Sequence, residues 1–254
     1  MNRLHSELQR LYLPRSQAHV EDDAQRSALI DPLGRVRALV MELTRPPSWE
    51  LLSKVWHGVQ AELELPAPAI AVSGIDGLQL WFSLAEPIAA SQGQLFLESL
   101  RARFLPDIDA RRIRLMPAFD ASVQHPERHA RLVPALQEQT GNWSAFVAAD
   151  LAPIFADTPW LDIAPNEEGQ ATLLRGLGTM KPAVFEEALK RLGPTTSADV
   201  PLTQEQSVTA TAEADPKRFL LRVMNDESVA LTLRIEAAKA LLQRSDERRP
   251  RQGD

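Results

Sequence analysis

A cluster of arginines is the first group of residues whose type and spacing could do chemistry. Its members are Arg101, Arg103, Arg111, Arg112 and Arg114. Arg112 and Arg114 stand two apart in a segment rich in strand formers, so a strand there would place both on one face. Guanidinium groups arranged in this way bind phosphate backbones, which predicts a nucleic-acid-binding groove. The alternative interpretation is a solvated charged face that binds nothing.

Two histidines have the spacing of metal ligands. His125 and His129 stand four apart, as two ligands do on one helix turn. Pro126 lies between them and no third ligand is near in sequence, so the spacing alone does not predict a metal site. The sequence also lacks a phosphate-binding P-loop, a dinucleotide-binding glycine motif and a nucleophile elbow. No common enzyme class therefore follows from a short motif.

Composition restricts where this chain works and what it binds. It has 254 residues, no cysteine and a formal net charge of -6. An acidic chain gains little from the counterion release that drives wide non-specific binding to nucleic acid, although a local basic groove stays compatible with that charge. No apolar run is long enough for a bilayer, and residues 1–12 are amphipathic, unlike a signal peptide. We therefore expect a cytoplasmic protein with no membrane partner.

The elements that must position these residues alternate between hairpins and helices. Asp31-Pro-Leu-Gly34 is a turn signal between two apolar segments, and Ser48 is an N-cap candidate ahead of apolar residues at helical spacing. The predicted order is strand, strand, helix, strand, strand, helix and strand, at residues 27–30, 35–43, 48–59, 69–73, 78–84, 90–104 and 112–116. Hairpins separated by helices predict an α+β fold, a mixed sheet with helices packed on one face.

Beyond the predicted sheet the composition of the chain changes. The predicted parts are an α+β domain at 1–133, a helical extension at 134–193, a flexible linker at 194–214, a helical hairpin at 215–245 and a disordered tail at 246–254. Within the extension, helices are predicted at 143–155, 169–177 and 182–192. The two helices of the hairpin are too short to hold a core alone, so they need another surface to pack against.

Two stretches of the first part resemble the archaeo-eukaryotic primase superfamily, which includes primase-polymerases of plasmids and mobile elements. They are Leu39-Val-Met-Glu-Leu-Thr44 and Val72-Ser-Gly-Ile-Asp-Gly-Leu-Gln-Leu-Trp-Phe-Ser-Leu-Ala-Glu-Pro87. The resemblance covers roughly residues 25–120, and its most specific parts are the stretches Gly-Leu-Gln-Leu-Trp-Phe and Ala-Glu-Pro. The resemblance implies a primase-polymerase-like fold.

The residues that carry catalysis in that superfamily are changed in this sequence. The resemblance implies paired aspartates that hold divalent metals and a histidine that contacts the phosphates of the incoming nucleotide. Glu42 and Thr44 stand in place of the aspartates, and Gln79 replaces the histidine. Asp109 or Asp107 is the candidate for the third acidic residue, which the family carries on a later strand. The changes argue against catalysis, so no cofactor is expected; Mg²⁺ or Mn²⁺ would be needed only by an enzyme.

Remnants of a site are predicted at the same positions. Glu42 and Asp109 could form a remnant metal site, or they could be strand-end carboxylates with no ligand. Ser73, Gly74 and Gln79 could form a nucleotide-facing turn, or a hairpin turn retained for its backbone geometry. For both sets the two interpretations stay open.

The C-terminal part carries a second, shorter resemblance. Residues 215–242 are similar to a segment of phage small terminase subunits, which implies a replication or phage-type protein partner. Our hypothesis is a non-catalytic primase-like protein of a mobile element or prophage that binds DNA, RNA or another protein. One alternative is an active, divergent primase-polymerase or other metal-dependent nucleotidyl-transferring enzyme. Another is an oligomeric assembly protein that uses its C-terminal helices.

Overall fold

Two long strands form the centre of the fold in the computed structural model, which describes residues 2–14, 29–118 and 130–193. The strands are β1 (Arg35–Thr44), β2 (Ala69–Val72), β3 (Gly77–Ala89), β4 (Ile113–Met116) and β5 (Ala145–Val147). The helices are α1 (Arg3–Leu11), α2 (Trp49–Ala61), α3 (Ala90–Phe104), α4 (Glu167–Arg175) and α5 (Pro182–Leu192), with 3-10 helices at Ala110–Arg112 and Ala152–Ala156. The predicted α+β class is confirmed.

Several predicted features lie outside the described residues. They are the first two residues of the strand at 27–30, the pair His125 and His129, the linker at 194–214, the helical hairpin at 215–245 and the tail at 246–254. The boundary between residues 133 and 134 also stays a prediction. On its C-terminal side, β5 adds a strand to the sheet by pairing with β2.

The described strands form one sheet in the order β4-β1-β3-β2-β5. Every ladder between them is antiparallel, where a mixed sheet was expected. The tight turn between Val72 and Gly77 joins β2 to β3, and so short a connection can join only antiparallel strands. The last residue of β1, Thr44, lies opposite Gly77, so the end of β1 and this turn share one end of the sheet.

Helices cover both faces of the sheet, although one covered face was expected. Successive strand residues point to opposite faces, so Leu39 and Met41 of β1 pack under α2, α3 and α5. Val40, between them, packs on the second face with α1 and α4. A run of consecutive apolar residues is typical of a strand that is buried on both faces. The run Leu39-Val40-Met41 is buried in this way.

The segment predicted as a helix at 143–155 is a strand followed by a 3-10 helix. Residues Ala145–Val147 pair with β2, and Ala152–Ala156 form the 3-10 helix with Pro153 in its first turn. Proline has no N–H to donate and disrupts the interior of an α-helix, so the two parts cannot form one helix. The predicted helix at 182–192 is confirmed, with Pro182 at its start and Gly193 just after its end.

A buried arginine fixes α1 to the sheet. Arg37 of β1 is 2% exposed, and its guanidinium donates to the carbonyl oxygens of Gln9, Arg10 and Leu13 at 2.7 to 3.1 Å. A further bond of 3.1 Å reaches the carbonyl oxygen of Leu84 on β3. The last carbonyl groups of a helix lack donors within the helix, and they form the negative end of its dipole. A guanidinium at that end supplies the missing donors and a favourable positive charge.

Replacement of this arginine tests the role of the cap. In Arg37→Met the side chain keeps its apolar stem, but four carbonyl oxygens lose a charged donor in a buried place. We expect the free energy of unfolding to fall by about 3 kcal/mol or more. Chemical denaturation followed by circular dichroism measures the change. Arg103→Met, which removes an exposed ion pair with Glu62, is the control and should cost below about 1 kcal/mol. Equal losses in the two variants would contradict the assignment.

Candidate functional site at the end of β1

Glu42 lies near the end of β1 in a row of polar side chains. The register places it opposite Gln79 of β3 on one side and opposite Arg114 of β4 on the other. Directly opposed residues of antiparallel strands point to the same face and contact each other. The strand pairing therefore brings together an acid, an amide and a guanidinium.

The carboxylate of Glu42 is almost completely enclosed. Its side chain is 5% exposed, and its Oε1 lies 3.5 Å from Nη1 of Arg114. Burial raises the pKa of the Glu42 carboxyl above its ordinary value, because the charged form loses its hydration. The positive charge of Arg114 and a hydrogen bond from Gln79 lower that pKa, whereas the nearby charge of Asp76 raises it further. The net direction is upward.

Arg114 also binds a second carboxylate. Its Nη1 lies 3.3 Å from Oδ1 of Asp76, and the Oδ2 of Asp76 lies 2.8 Å from Nε of Arg45. We call Glu42, Asp76, Arg45 and Arg114 the strand-end ion network. Its two acids and two bases balance, so its formal charge is zero. Asp76 was not among the predicted site residues, because its position beside β1 depends on the register of β1 with β3.

Gln79 links the ion network to the apolar core. Its Oε1 accepts a hydrogen bond of 2.8 Å from the indole N–H of Trp81. The indole has only a donor to offer, so this bond identifies the carbonyl oxygen of the Gln79 amide and leaves the NH₂ group for Glu42. The predicted nucleotide-binding residue Gln79 is thus buried, and both ends of its amide have partners within the fold.

The side chain of Ser73, the first residue of the turn before β3, stabilises that turn. Oγ of Ser73 accepts hydrogen bonds from the backbone N–H groups of Ile75, Asp76 and Gly77, at 2.9 to 3.1 Å. Gly74 has φ +80°, and a Cβ there would lie 2.7 Å from Cγ of Gln137. Both features give the turn its backbone geometry and place Asp76 beside Arg114.

Thr44 and Gly77 complete the wall around Glu42. The hydroxyl of Thr44 donates to the carbonyl oxygen of Arg112 at 3.3 Å, so it holds the segment before β4 against the end of β1. A Cβ added to Gly77 would lie 2.7 Å from Cγ of Glu42 and would overlap its carboxylate oxygen. The Glu42 side chain therefore occupies the space above Gly77, which any larger residue would take.

Asp109 was predicted to form a remnant metal site with Glu42. Its Oδ1 accepts a bond of 2.9 Å from the N–H of Arg111 and caps the 3-10 helix before β4. The carboxylate that shares Arg114 with Glu42 is that of Asp76. Across residues 2–14, 29–118 and 130–193, no group of three or more acidic, histidine or cysteine side chains is placed to hold a metal ion.

The five predicted nucleic-acid-binding arginines lie on different elements. Arg101 and Arg103 are in the last turn of α3, Arg111 and Arg112 are in the 3-10 helix, and Arg114 is on β4. Arg112 thus precedes the strand that was expected to begin with it. Its guanidinium donates to the carbonyl oxygens of Thr44 at 3.3 Å and Pro46 at 2.8 Å.

Arg103 is also engaged within the chain. It pairs with Glu62, the residue that follows α2, at 2.5 Å, and its guanidinium lies 5.7 Å from the centre of the Phe104 ring. Three of the five arginines, namely Arg103, Arg112 and Arg114, therefore already bind groups of their own chain.

No protein-family model and no curated protein matches the chain. Among the described helices, none combines the length and the apolar character that a bilayer crossing requires.

The buried carboxyl predicts a pH-dependent contribution to stability. A folded-state pKa above the unfolded value means that the folded chain binds more protons between the two values. Stability should therefore fall as the pH rises from the ordinary pKa of glutamate through the folded pKa. Glu42→Gln removes this titration and should become progressively more stable than wild type over that window. Unfolding curves at several pH values from 4 to 8 measure the difference, with Glu168→Gln, at an exposed site, as the control. A difference that stays constant with pH would contradict the assignment.

Proposed function

We propose that this chain is a non-catalytic, primase-polymerase-like protein of a mobile element or prophage that acts by binding a partner. The observation that carries the proposal is the guanidinium of Arg114 on the carboxylate of Glu42, 3.5 Å away. Glu42 is the position at which the resembled superfamily holds its metal ions. A fixed positive charge there opposes a divalent cation directly, because the two would share one carboxylate.

The other changed positions support the same conclusion. The resembled superfamily carries its third acidic residue on a later strand, and the residue that faces Glu42 from β4 is Arg114. Thr44 supplies a neutral hydroxyl, and that hydroxyl is bonded to a backbone carbonyl. Two-metal catalysis needs several carboxylate oxygens around a shared pair of ions. The strand-end ion network instead neutralises its two carboxylates with two guanidinium groups.

The arginines favour a protein over a nucleic acid as the partner. Of the five that were predicted to bind phosphates, three are bonded to carboxylates or carbonyl oxygens of the same chain. Binding a phosphate backbone would require them to exchange those partners. The net charge of -6 adds long-range repulsion of a polyanion. The segment 215–242, which resembles part of phage small terminase subunits, is the proposed contact for a phage-type protein.

A primer-synthesis assay tests the absence of catalysis. Wild type and Glu42→Ala are incubated with single-stranded template, nucleoside triphosphates and either Mg²⁺ or Mn²⁺, and labelled products are resolved on a denaturing gel. We expect no product from either protein above the level of a protein-free control. An active primase-polymerase in the same buffer is the positive control. Product made by wild type and lost in Glu42→Ala would favour the enzyme alternative instead.

The salt dependence of single-stranded DNA binding tests the choice of partner. For single strands the slope of log affinity against log salt is about -0.7 per phosphate contact, so a five-arginine groove predicts about -3.5. If only Arg101 and Arg111 can contact phosphates, the slope should be no steeper than about -1.4. Fluorescence anisotropy with a labelled oligonucleotide measures it. A steep slope that Arg111→Ala and Arg112→Ala both reduce, while the remote Arg191→Ala does not, would support a nucleic-acid groove.

A further inference from the structure

The 3-10 helix at Ala152–Ala156 presents aliphatic side chains to solvent. Leu151, the residue before the helix, is 45% exposed, and Ile154 within it is 69% exposed. A 3-10 helix has three residues per turn, so positions three apart lie on the same face. Leu151 and Ile154 therefore share one face, and Asp157, directly after the helix, continues it.

The exposure of this aliphatic pair is fixed by the rest of the helix. On the opposite side Ala152 is fully buried, and Phe155 packs against the core that α2 covers. The N–H groups of Leu151 and Ala152 both donate to the carbonyl oxygen of Ala148 at 3.1 Å, and that of Ile154 donates to Leu151 at 3.0 Å. Leu151 and Ile154 thus cannot turn inward unless these contacts break.

The surrounding stretch of chain is acidic. Residues 132–174 contain six acidic residues and no lysine, arginine or histidine, so this stretch carries the whole formal net charge of -6. Asp150 and Asp157 are exposed at the two ends of the aliphatic pair. Within the described part of the chain neither of them forms an ion pair, whereas Glu168 of α4 pairs with Arg3 at 3.2 Å. We call Asp150, Leu151, Ile154 and Asp157 the 3-10 face.

We propose that the 3-10 face is a docking surface for a basic amphipathic segment of another protein. Neighbouring exposed aliphatic side chains are typical of interaction surfaces. Apolar side chains of the partner would cover Leu151 and Ile154, and lysine or arginine side chains beside them would pair with Asp150 and Asp157. Such an interface has an apolar centre and a charged rim of complementary sign.

The charge of the 3-10 face argues against other occupants. A nucleic acid or an anionic membrane would bring phosphate groups to two carboxylates that have no base beside them, and like charges repel. A second copy of the chain, paired through the same face, would place the same acids against each other. The proposal goes beyond the proposed function, because it uses neither the residues at the end of β1 nor the segment 215–242.

Binding of a synthetic peptide tests this surface. The probe is a fluorescein-labelled peptide of leucine and lysine at helical spacing, and the control probe has glutamate in place of every lysine. The full chain is titrated into each peptide and fluorescence anisotropy is measured. Ile154→Ser and Leu151→Ser remove the aliphatic contact, and Leu95→Ser, at a site on α3 that is 49% exposed, is their matched control.

A second pair of variants tests the charges. Asp150→Asn with Asp157→Asn neutralises the two ends of the 3-10 face. Asp107→Asn with Glu186→Gln removes the same charge from exposed positions elsewhere, so it controls for the net charge of the chain. Circular dichroism confirms that each variant is folded.

We expect wild type to bind the leucine-lysine peptide and not the leucine-glutamate peptide. Ile154→Ser should weaken binding about tenfold and the double asparagine variant about threefold, while both controls stay within about twofold of wild type. No binding of the leucine-lysine peptide by wild type would overturn the proposal. So would an equal loss in Ile154→Ser and Leu95→Ser, or in the two charge variants, because binding would then lie elsewhere or depend on net charge alone. If Ile154→Ser does not fold, Leu151→Ser decides the aliphatic contact.

Discussion

A guanidinium buried in the middle of the sheet is the interaction on which the second face of this protein depends. Arg37 cannot lose its charge, so its burial is tolerable only because four carbonyl oxygens surround it. Two of them, on Gln9 and Arg10, belong to the last turn of α1, where the carbonyl groups need donors, and a third, on Leu13, follows directly after the helix. The charge and the helix end therefore satisfy each other, and α1 has one position on the sheet in which both are satisfied.

The same device is repeated along that face. Arg10 of α1 donates to the carbonyl oxygen of Leu174 in the last turn of α4 and to that of Leu177 just after it, and Gln170 of α4 bonds to both backbone groups of Phe146 on β5. Each step uses a side chain of one element to satisfy backbone groups of the next. The attachment of β5 to its covering helix is thus linked to Arg37 on β1 through α1 and α4.

Between these polar contacts lies a compact set of aromatic rings. Tyr12 packs at 5.2 Å from the ring of Trp81 and 6.1 Å from that of Phe146, and all three are buried. The hydroxyl of Tyr12 has no hydrogen-bond partner within the described part of the chain, and burial raises the pKa of this phenol. Burying an unpaired hydroxyl is unfavourable, so the ring contacts must offset that cost.

Local sequence patterns were sufficient to predict the elements that have a strong pattern of their own. They were insufficient where contact with a distant segment determines the structure. The Asp31 to Gly34 turn formed as expected, because Gly34 supplies φ +69° and Asp31 accepts from the N–H of Leu33. β5 was missed because a segment of three residues is too short to show a strand pattern in the sequence. It is a strand only because it pairs with β2. The candidate site was predicted in part: Glu42 and Gln79 do meet, but their bonds to Arg114 and Trp81 depend on register, and so does the place of Asp76.

One row of opposed residues crosses all five strands of the sheet. From β4 to β5 it runs Arg114, Glu42, Gln79, Ala71 and Phe146. The row changes from charged to polar to apolar, and the half-exposed Arg114 lies at the edge where water can screen its charge. The amide of Gln79 mediates the change, because it bonds to Glu42 on the charged side and to the indole of Trp81 on the apolar side.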